Sequence, residues 1–267
     1  MILADYHTHT CFSGDSDALP EEQVKAALQA GLQYMCFTDH EDLDYPDGDT
    51  PFVFDTEEYF KVMRPLQEQY RSQISLAIGV ELGLQPHLTD RLPDFAASCP
   101  FDYIIGSTHV VDGLDPYYPR YWKKGTEKEQ YTRYFECTLK NIKAFDCFDC
   151  YGHIDYIVRY GPNQNRNYSY SQYQDILDEI LRTLISRGKG IECNTAGFKY
   201  GLGHPNPEEN LIRRYVELGG EILTIGSDGH KPEHIAYDFH RLPELLKSCG
   251  VRYYTIFRNR KPEFIRL

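Results

Sequence analysis

Six of the ten histidines stand in short groups that hold a second polar residue. His7 and His9 form His-x-His in Asp5-Tyr6-His7-Thr8-His9. His40 closes Phe37-Thr38-Asp39-His40, His109 closes Gly106-Ser107-Thr108-His109, and His153 closes Tyr151-Gly152-His153. Asp228 and His230 follow an apolar run in Gly226-Ser227-Asp228-Gly229-His230, and Glu81 closes Gly79-Val80-Glu81. Imidazole and carboxylate together are the ligand set of Zn, Mn, Fe or Ni sites. In a strand, residues i and i+2 share a face, so two imidazoles at that spacing can grip one ion. An acid at the end of an apolar run is costly to bury unless it is paired or metal-bound. His87, His204, His234 and His240 stand outside these groups and read as ordinary satisfied polar residues.

Position gives these groups their meaning. Short apolar runs at Ile2–Asp5, Tyr34–Thr38, Leu76–Glu81, Tyr103–Ser107, Cys150–Gly152, Gly190–Cys193 and Ile222–Gly226 read as buried parallel strands, with Tyr253–Phe257 as a last candidate. Between them lie stretches of helical period: Pro20–Ala30, Thr56–Tyr70, Lys128–Phe145, Ser171–Arg187, Pro207–Leu218 and, in outline, Pro232–Lys247. Gly31, Gly188 and Gly219 follow three of them as stops. Such alternation means an α/β fold with a parallel sheet. Seven or eight units without a second core point to a closed barrel in one domain over residues 1–267. Pattern alone leaves a doubly wound sheet open. In a barrel the strand C-termini share one face, so all the groups above converge on one mouth.

Composition sets bounds. Hydrophobic residues make up 41% of 267, enough for an ordinary core, and the net charge is -12. That charge argues against nucleic acid as the main partner, because phosphate contacts need surplus Lys and Arg. No apolar run approaches the ~20 residues needed to span a bilayer, so no membrane partner is expected. Met1-Ile2-Leu3-Ala4-Asp5 lacks the start of a secretory signal, and a cytoplasmic location is the default. The eight cysteines, including Cys147-Phe148-Asp149-Cys150, read as reduced, packed thiols. Nothing in the sequence speaks to oligomeric state.

The ordered set His7-x-His9, Thr38-Asp39-His40, Gly106-Ser107-Thr108-His109 and Asp228-x-His230 resembles the four motifs of the PHP (polymerase and histidinol phosphatase) family, over nearly the whole chain. Asp5-Tyr6-His7-Thr8-His9-Thr10 and Gly152-His153-Ile154-Asp155 look most like its histidinol-phosphate phosphatase branch. The resemblance implies a distorted (β/α)7 TIM-like barrel with up to three divalent ions; Zn, Mn and Fe all accept such ligands. It implies His7, His9, Glu81 and Asp228 on the first ion, Glu81, His109 and His153 on the second, and Asp15, His40 and His230 on the third. Asp15 lies in the loop Phe12-Ser13-Gly14-Asp15, with Asp17 two residues on.

The expected reaction is hydrolysis of a small phosphate monoester by hydroxide held between ions, and the resemblance alone implies that this substrate is L-histidinol phosphate. Asp228 is expected to orient that hydroxide and then protonate the leaving oxygen. Three divalent cations outweigh Asp15, Glu81 and Asp228, which explains how an acidic protein could bind an anion. Arg159, six residues after His153, is a candidate phosphate clamp, with Lys199 as a second. Tyrosine-rich stretches at Asp115–Trp122 and Tyr160–Tyr173 could cover the substrate or simply pack. Three other readings stay open: a PHP phosphatase acting on phosphotyrosine or nucleotide, an amidohydrolase, and a non-catalytic metal module of a polymerase. Against the second, no lysine ends a middle strand where a carboxylated Lys would bridge two ions.

Overall fold

The computed structural model describes residues 1–46 and 52–267. In chain order its strands and helices are β1 (Ala4–Thr8), α1 (Pro20–Gln29), β2 (Tyr34–Phe37), β3 (His40–Glu41), α2 (Thr56–Tyr70), β4 (Ser75–Gly83), α3 (Arg91–Ser98), β5 (Tyr103–Ser107), α4 (Pro119–Trp122) and α5 (Glu127–Ala144). There follow β6 (Cys150–Tyr151), α6 (Gln174–Ser186), β7 (Gly190–Asn194), α7 (Ala196–Lys199), α8 (Glu209–Glu217), β8 (Leu223–Gly226), α9 (Leu242–Ser248), β9 (Tyr253–Arg258) and β10 (Lys261–Arg266).

Strands β1, β2, β4, β5, β6, β7 and β8 pair in that order, all parallel, and β3 adds to the upper part of β4. The ends of the sheet meet just past β8. Asp228 N–H donates to His7 O at 2.9 Å, and His9 N–H donates to Gly229 O at 3.0 Å. The result is a nearly closed barrel, as the alternation of runs predicts. No described helix is long and apolar enough to cross a membrane.

The outer helices are held by caps and apolar stripes. The Asp55 carboxylate accepts from Glu58 N–H at the start of α2, and Thr126 and Glu129 cap α5 reciprocally. On α2 the buried residues Tyr59, Met63, Leu66 and Tyr70 fall on one face. Burying side chains such as Met63 and Leu66 contributes about 1.5–3 kcal/mol each.

The structure departs from the sequence reading in several places, and β3, α4, α7 and β10 are short elements that reading did not contain. β1 starts later than Ile2 and runs on to Thr8, because the buried side chains of Asp5 and His7 find polar partners in neighbouring segments. Asp5 accepts from the Ser227 hydroxyl at 2.6 Å and from Ser227 N–H at 2.9 Å. Helix α3 was not anticipated; it is eight residues long and buries only Leu92 and Ala96. Pro232–Lys247 resolves into two short 3-10 turns followed by α9. Strand β9 forms where expected but stays outside the barrel, antiparallel to β10. This hairpin seals the N-terminal end: Tyr6 donates its hydroxyl to Phe257 O, and the Tyr103 and Phe257 rings stack at 4.9 Å. The opposite, C-terminal end is left for the site.

Candidate active site

Each acid and imidazole singled out above reaches the C-terminal mouth by a short backbone route. β1 places His7 on the inner face, and His9 follows the strand end. Glu81 sits within β4, which continues to Gly83 because β3 and β5 pair with its last residues. His40 opens β3 in register with Glu81. His109 and His153 lie two residues beyond β5 and β6. Asp228 stands just past β8 with φ 55°, a left-handed conformation that Asp tolerates better than most residues.

Glu81 is the centre of the arrangement, fully buried. One oxygen, Oε2, lies 3.1 Å from His7 Nε2, 3.6 Å from His9 Nε2 and 3.1 Å from His40 Nδ1. The other, Oε1, lies 2.9 Å from His153 Nε2 and 3.2 Å from His109 Nε2, and accepts from the Ser107 hydroxyl at 2.6 Å. A carboxylate whose two oxygens face separate imidazole sets has the shape of a bridging ligand.

Asp228 flanks the first set. Its Oδ1 is 3.4 Å from His9 Nε2, 3.5 Å from His230 Nδ1 and 3.8 Å from His7 Nε2. At the rim, half-exposed Asp15 approaches His230 Nε2 at 3.1 Å and His40 Nε2 at 3.8 Å. The His9 and His230 rings stack with centroids 4.0 Å apart. Ligand atoms converge in four groups: His7, His9 and Glu81; Glu81, His109 and His153; His9, His40 and His230; and His40, Asp42 and His109. His87, His204, His234 and His240 belong to none of these.

Arg159 is no surface cation. It ends a 3-10 turn (Tyr156–Arg159) after β6 and is 5% exposed. Its Nη1 donates to Asp228 Oδ2 at 2.7 Å, Nε to Asn206 Oδ1 at 2.8 Å and Nη2 to Asn194 Oδ1 at 2.9 Å. Lys199, in the single turn α7, donates to the Asp228 carbonyl at 3.2 Å and borders the same cleft.

The donor set fits divalent cations. His9 Nε2 and His40 Nδ1 are buried and make no hydrogen bond, although carboxylate oxygens lie close at poor angles. Buried acids packed among imidazoles are costly to maintain without cations between them. Charge is divided unevenly as well. Burial opposes the imidazolium at His7, yet Glu192, Glu81 and Asp228 push its pKa well above the usual range. At His9, burial and the neighbouring His230 and His40 drive the pKa well below it. Burial opposes ionisation of Glu81 and Asp228, but His7 and His109 around the first, and Arg159 and His7 around the second, hold both carboxyls far below the usual range.

Sequence reasoning missed several supporting side chains. Asp42 Oδ1 is 2.8 Å from His109 Nδ1, and Glu192 Oε1 is 2.6 Å from His7 Nδ1. Asp39 accepts from Thr10 N–H at 2.6 Å and from the Ser13 hydroxyl at 2.8 Å, pinning the loop that carries Asp15. The signal available for Asp42 was its i+2 spacing from His40; Glu192 offered only an acid within an apolar run.

The centre opens into a cleft of about 330 Å³ walled by Tyr156, Tyr160, Tyr200 and the buried Asp115. A larger cavity of about 590 Å³ lies beside Tyr215, Val251 and Phe264 near the terminal hairpin. Its described lining has no imidazole, so the smaller cleft is the candidate site. Residues 5–196 match the family model described as the PHP domain. The chain belongs to the PHP family. Among curated PHP relatives, a histidinol-phosphatase of Lactococcus lactis is 31% identical over 98% of this chain and 96% of its own length. A probable histidinol-phosphatase of Clostridium acetobutylicum is 34% identical over 94% and 95%. The crystal structure of the Lactococcus lactis histidinol phosphate phosphatase, complexed with zinc, L-histidinol and phosphate, superposes with a TM-score of 0.89. That match covers 97% of this chain and 98% of the other at 30% identity.

Proposed function

We propose that this PHP protein is a metal-dependent phosphomonoesterase that converts L-histidinol phosphate to L-histidinol and phosphate, within one domain spanning the chain. The observation that carries the reading is Glu81, whose two oxygens face separate sets of buried imidazoles. Its named relatives support the substrate. His7, His9, Glu81 and Asp228 would hold a first ion, Glu81, His109 and His153 a second, and Asp15, His40 and His230 a third. Zn, Mn and Fe all accept this donor set. Bound there, divalent ions offset phosphate charge and lower the pKa of water.

The chain's own groups then have defined tasks. Asp228 is kept ionised by Arg159 and His7 and can accept the proton of the attacking water. It can return that proton to the oxygen leaving phosphorus. Arg159 holds the Asp228 carboxylate through one of its five N–H groups and binds the asparagines with two more. Its remaining two can reach toward phosphate, beside Lys199. On the cleft wall Asp115 accepts from the Tyr45 hydroxyl and Tyr117 N–H. An acid among tyrosines suits a leaving group that carries an amine and an imidazole.

The decisive experiment pairs elemental analysis with turnover of histidinol phosphate against phosphotyrosine, nucleotide monophosphates and an amide panel. Bound transition metal and a strong preference for histidinol phosphate are expected. A metal-loaded protein that turns over the other esters or amides equally well defeats the assignment. For Arg159, alanine substitution is expected to raise KM about 10- to 100-fold, the range for hydrogen bonds to charged groups. Lysine cannot reproduce the fork and should not rescue it. An unchanged KM removes Arg159 from phosphate binding.

A further inference from the structure

Glu192 lies within β7, 1% exposed and below the rim where the other acids gather. Its Oε1 is 2.6 Å from His7 Nδ1. Its Oε2 accepts from the backbone N–H of His153 at 2.9 Å and from Asn194 Nδ2 at 3.1 Å. The barrel leaves room for this carboxylate at Gly226: a Cβ there would lie 2.3 Å from Glu192 Oε1 and 2.4 Å from His7 Cβ. Any side chain at 226 would push the two apart.

The geometry divides the His7 ring into two sides. Nδ1 faces Glu192, while Nε2 faces Glu81 at 3.1 Å and Asp228 at 3.8 Å. A neutral imidazole has one N–H and one lone pair, and its partner decides which nitrogen carries which. An ion held at Nε2 would need that nitrogen's lone pair, and the Glu192 oxygen 2.6 Å from Nδ1 would then accept the remaining proton, so the ring's proton belongs on Nδ1 and its lone pair on Nε2, toward the proposed ions. The same carboxylate also fixes the backbone at His153, a member of the other imidazole set around Glu81.

We propose that Glu192 is a positioning residue that sets the His7 tautomer and ties the His7 and His153 sites together, an inference that rests on the metal-centre reading above. Glu192→Gln is the sharpest substitution. Glutamine keeps the shape but has one acceptor oxygen, so it cannot accept from His7, His153 and Asn194 together; its amide must oppose one of those donors.

The test uses the full chain loaded with zinc. Imidazole 15N shifts of the wild-type protein are expected to show His7 protonated at Nδ1 and zinc-bound at Nε2. Competition against a chelator series should show zinc held about 10- to 100-fold more weakly in Glu192→Gln, the usual effect of losing such an outer partner. In a His7→Gln background the Glu192→Gln change should cost little more, since the residue acts through the ring. Three results overturn the proposal: zinc on His7 Nδ1 in the wild type, unchanged zinc retention in folded Glu192→Gln, or fully additive losses in the double variant. If Glu192→Gln does not fold, the wild-type ring shifts decide alone. A wild-type chain that binds no zinc, manganese or iron overturns both this proposal and the metal centre, whereas zinc binding indifferent to Glu192 overturns this proposal only.

Discussion

Glu81→Ala is expected to remove metal and turnover together. Five imidazoles approach this one carboxylate, three at Oε2 and two at Oε1. Losing it withdraws a ligand from two proposed ions at once and removes the one carboxylate that both imidazole sets share. Loss of even one well-placed charge in such a site removes several kcal/mol of transition-state stabilisation. Turnover should therefore fall on the order of 10³-fold or more, with each 1.36 kcal/mol worth about tenfold. Bound ions also stabilise the folded chain by mass action. The melting temperature of Glu81→Ala should consequently sit near that of chelator-treated wild type and should not respond to added zinc. Glu81→Gln supplies the control for shape, since it keeps the volume and loses the charge. Retention of wild-type metal content and activity by either variant would exclude Glu81 as the bridge.

The mouth of this site was legible because its members are chemically distinctive and recur after apolar runs. Imidazoles at His9, His40, His109 and His153 stand at or just beyond a strand in a pattern that parallel topology converts into one cluster. The supporting residues gave no comparable signal. Glu192 meets His7 across 185 positions of sequence, and no local spacing foretells that pairing. Arg159 reads as a loop cation. Only the arrival of Asn194, Asn206 and Asp228 from distant segments makes it a buried, oriented group. The terminal strand failed for a different reason. Tyr253–Phe257 is apolar enough for a barrel strand, with Tyr254, Ile256 and Phe257 buried. Its partner β10, mostly exposed and carrying Lys261, Glu263 and Arg266, has no strand signature of its own and takes β9 out of the barrel. Local propensity decided that these residues extend; tertiary pairing decided where.

Asp228→Asn separates ion binding from proton handling. The amide preserves the side-chain shape, and His7, His9 and Glu81 still surround the first site, so most bound metal should remain. Arg159 can still donate to the amide oxygen, which turns Nδ2 toward His9 and His230, where Oδ1 now lies 3.4 and 3.5 Å away. An amide cannot take up a proton from water at neutral pH or deliver one to the leaving oxygen. Proton transfer by a placed side chain is worth about 10²–10⁴-fold, and kcat should drop by that factor while KM changes little. Two measurements decide the matter jointly: metal content and kcat on the same preparation. A metal-replete Asp228→Asn enzyme with kcat within a few-fold of wild type would move the proton-handling role to another group. Full loss of metal with loss of kcat would instead make Asp228 chiefly a ligand, because the missing activity would then follow from the empty site and not from the missing base.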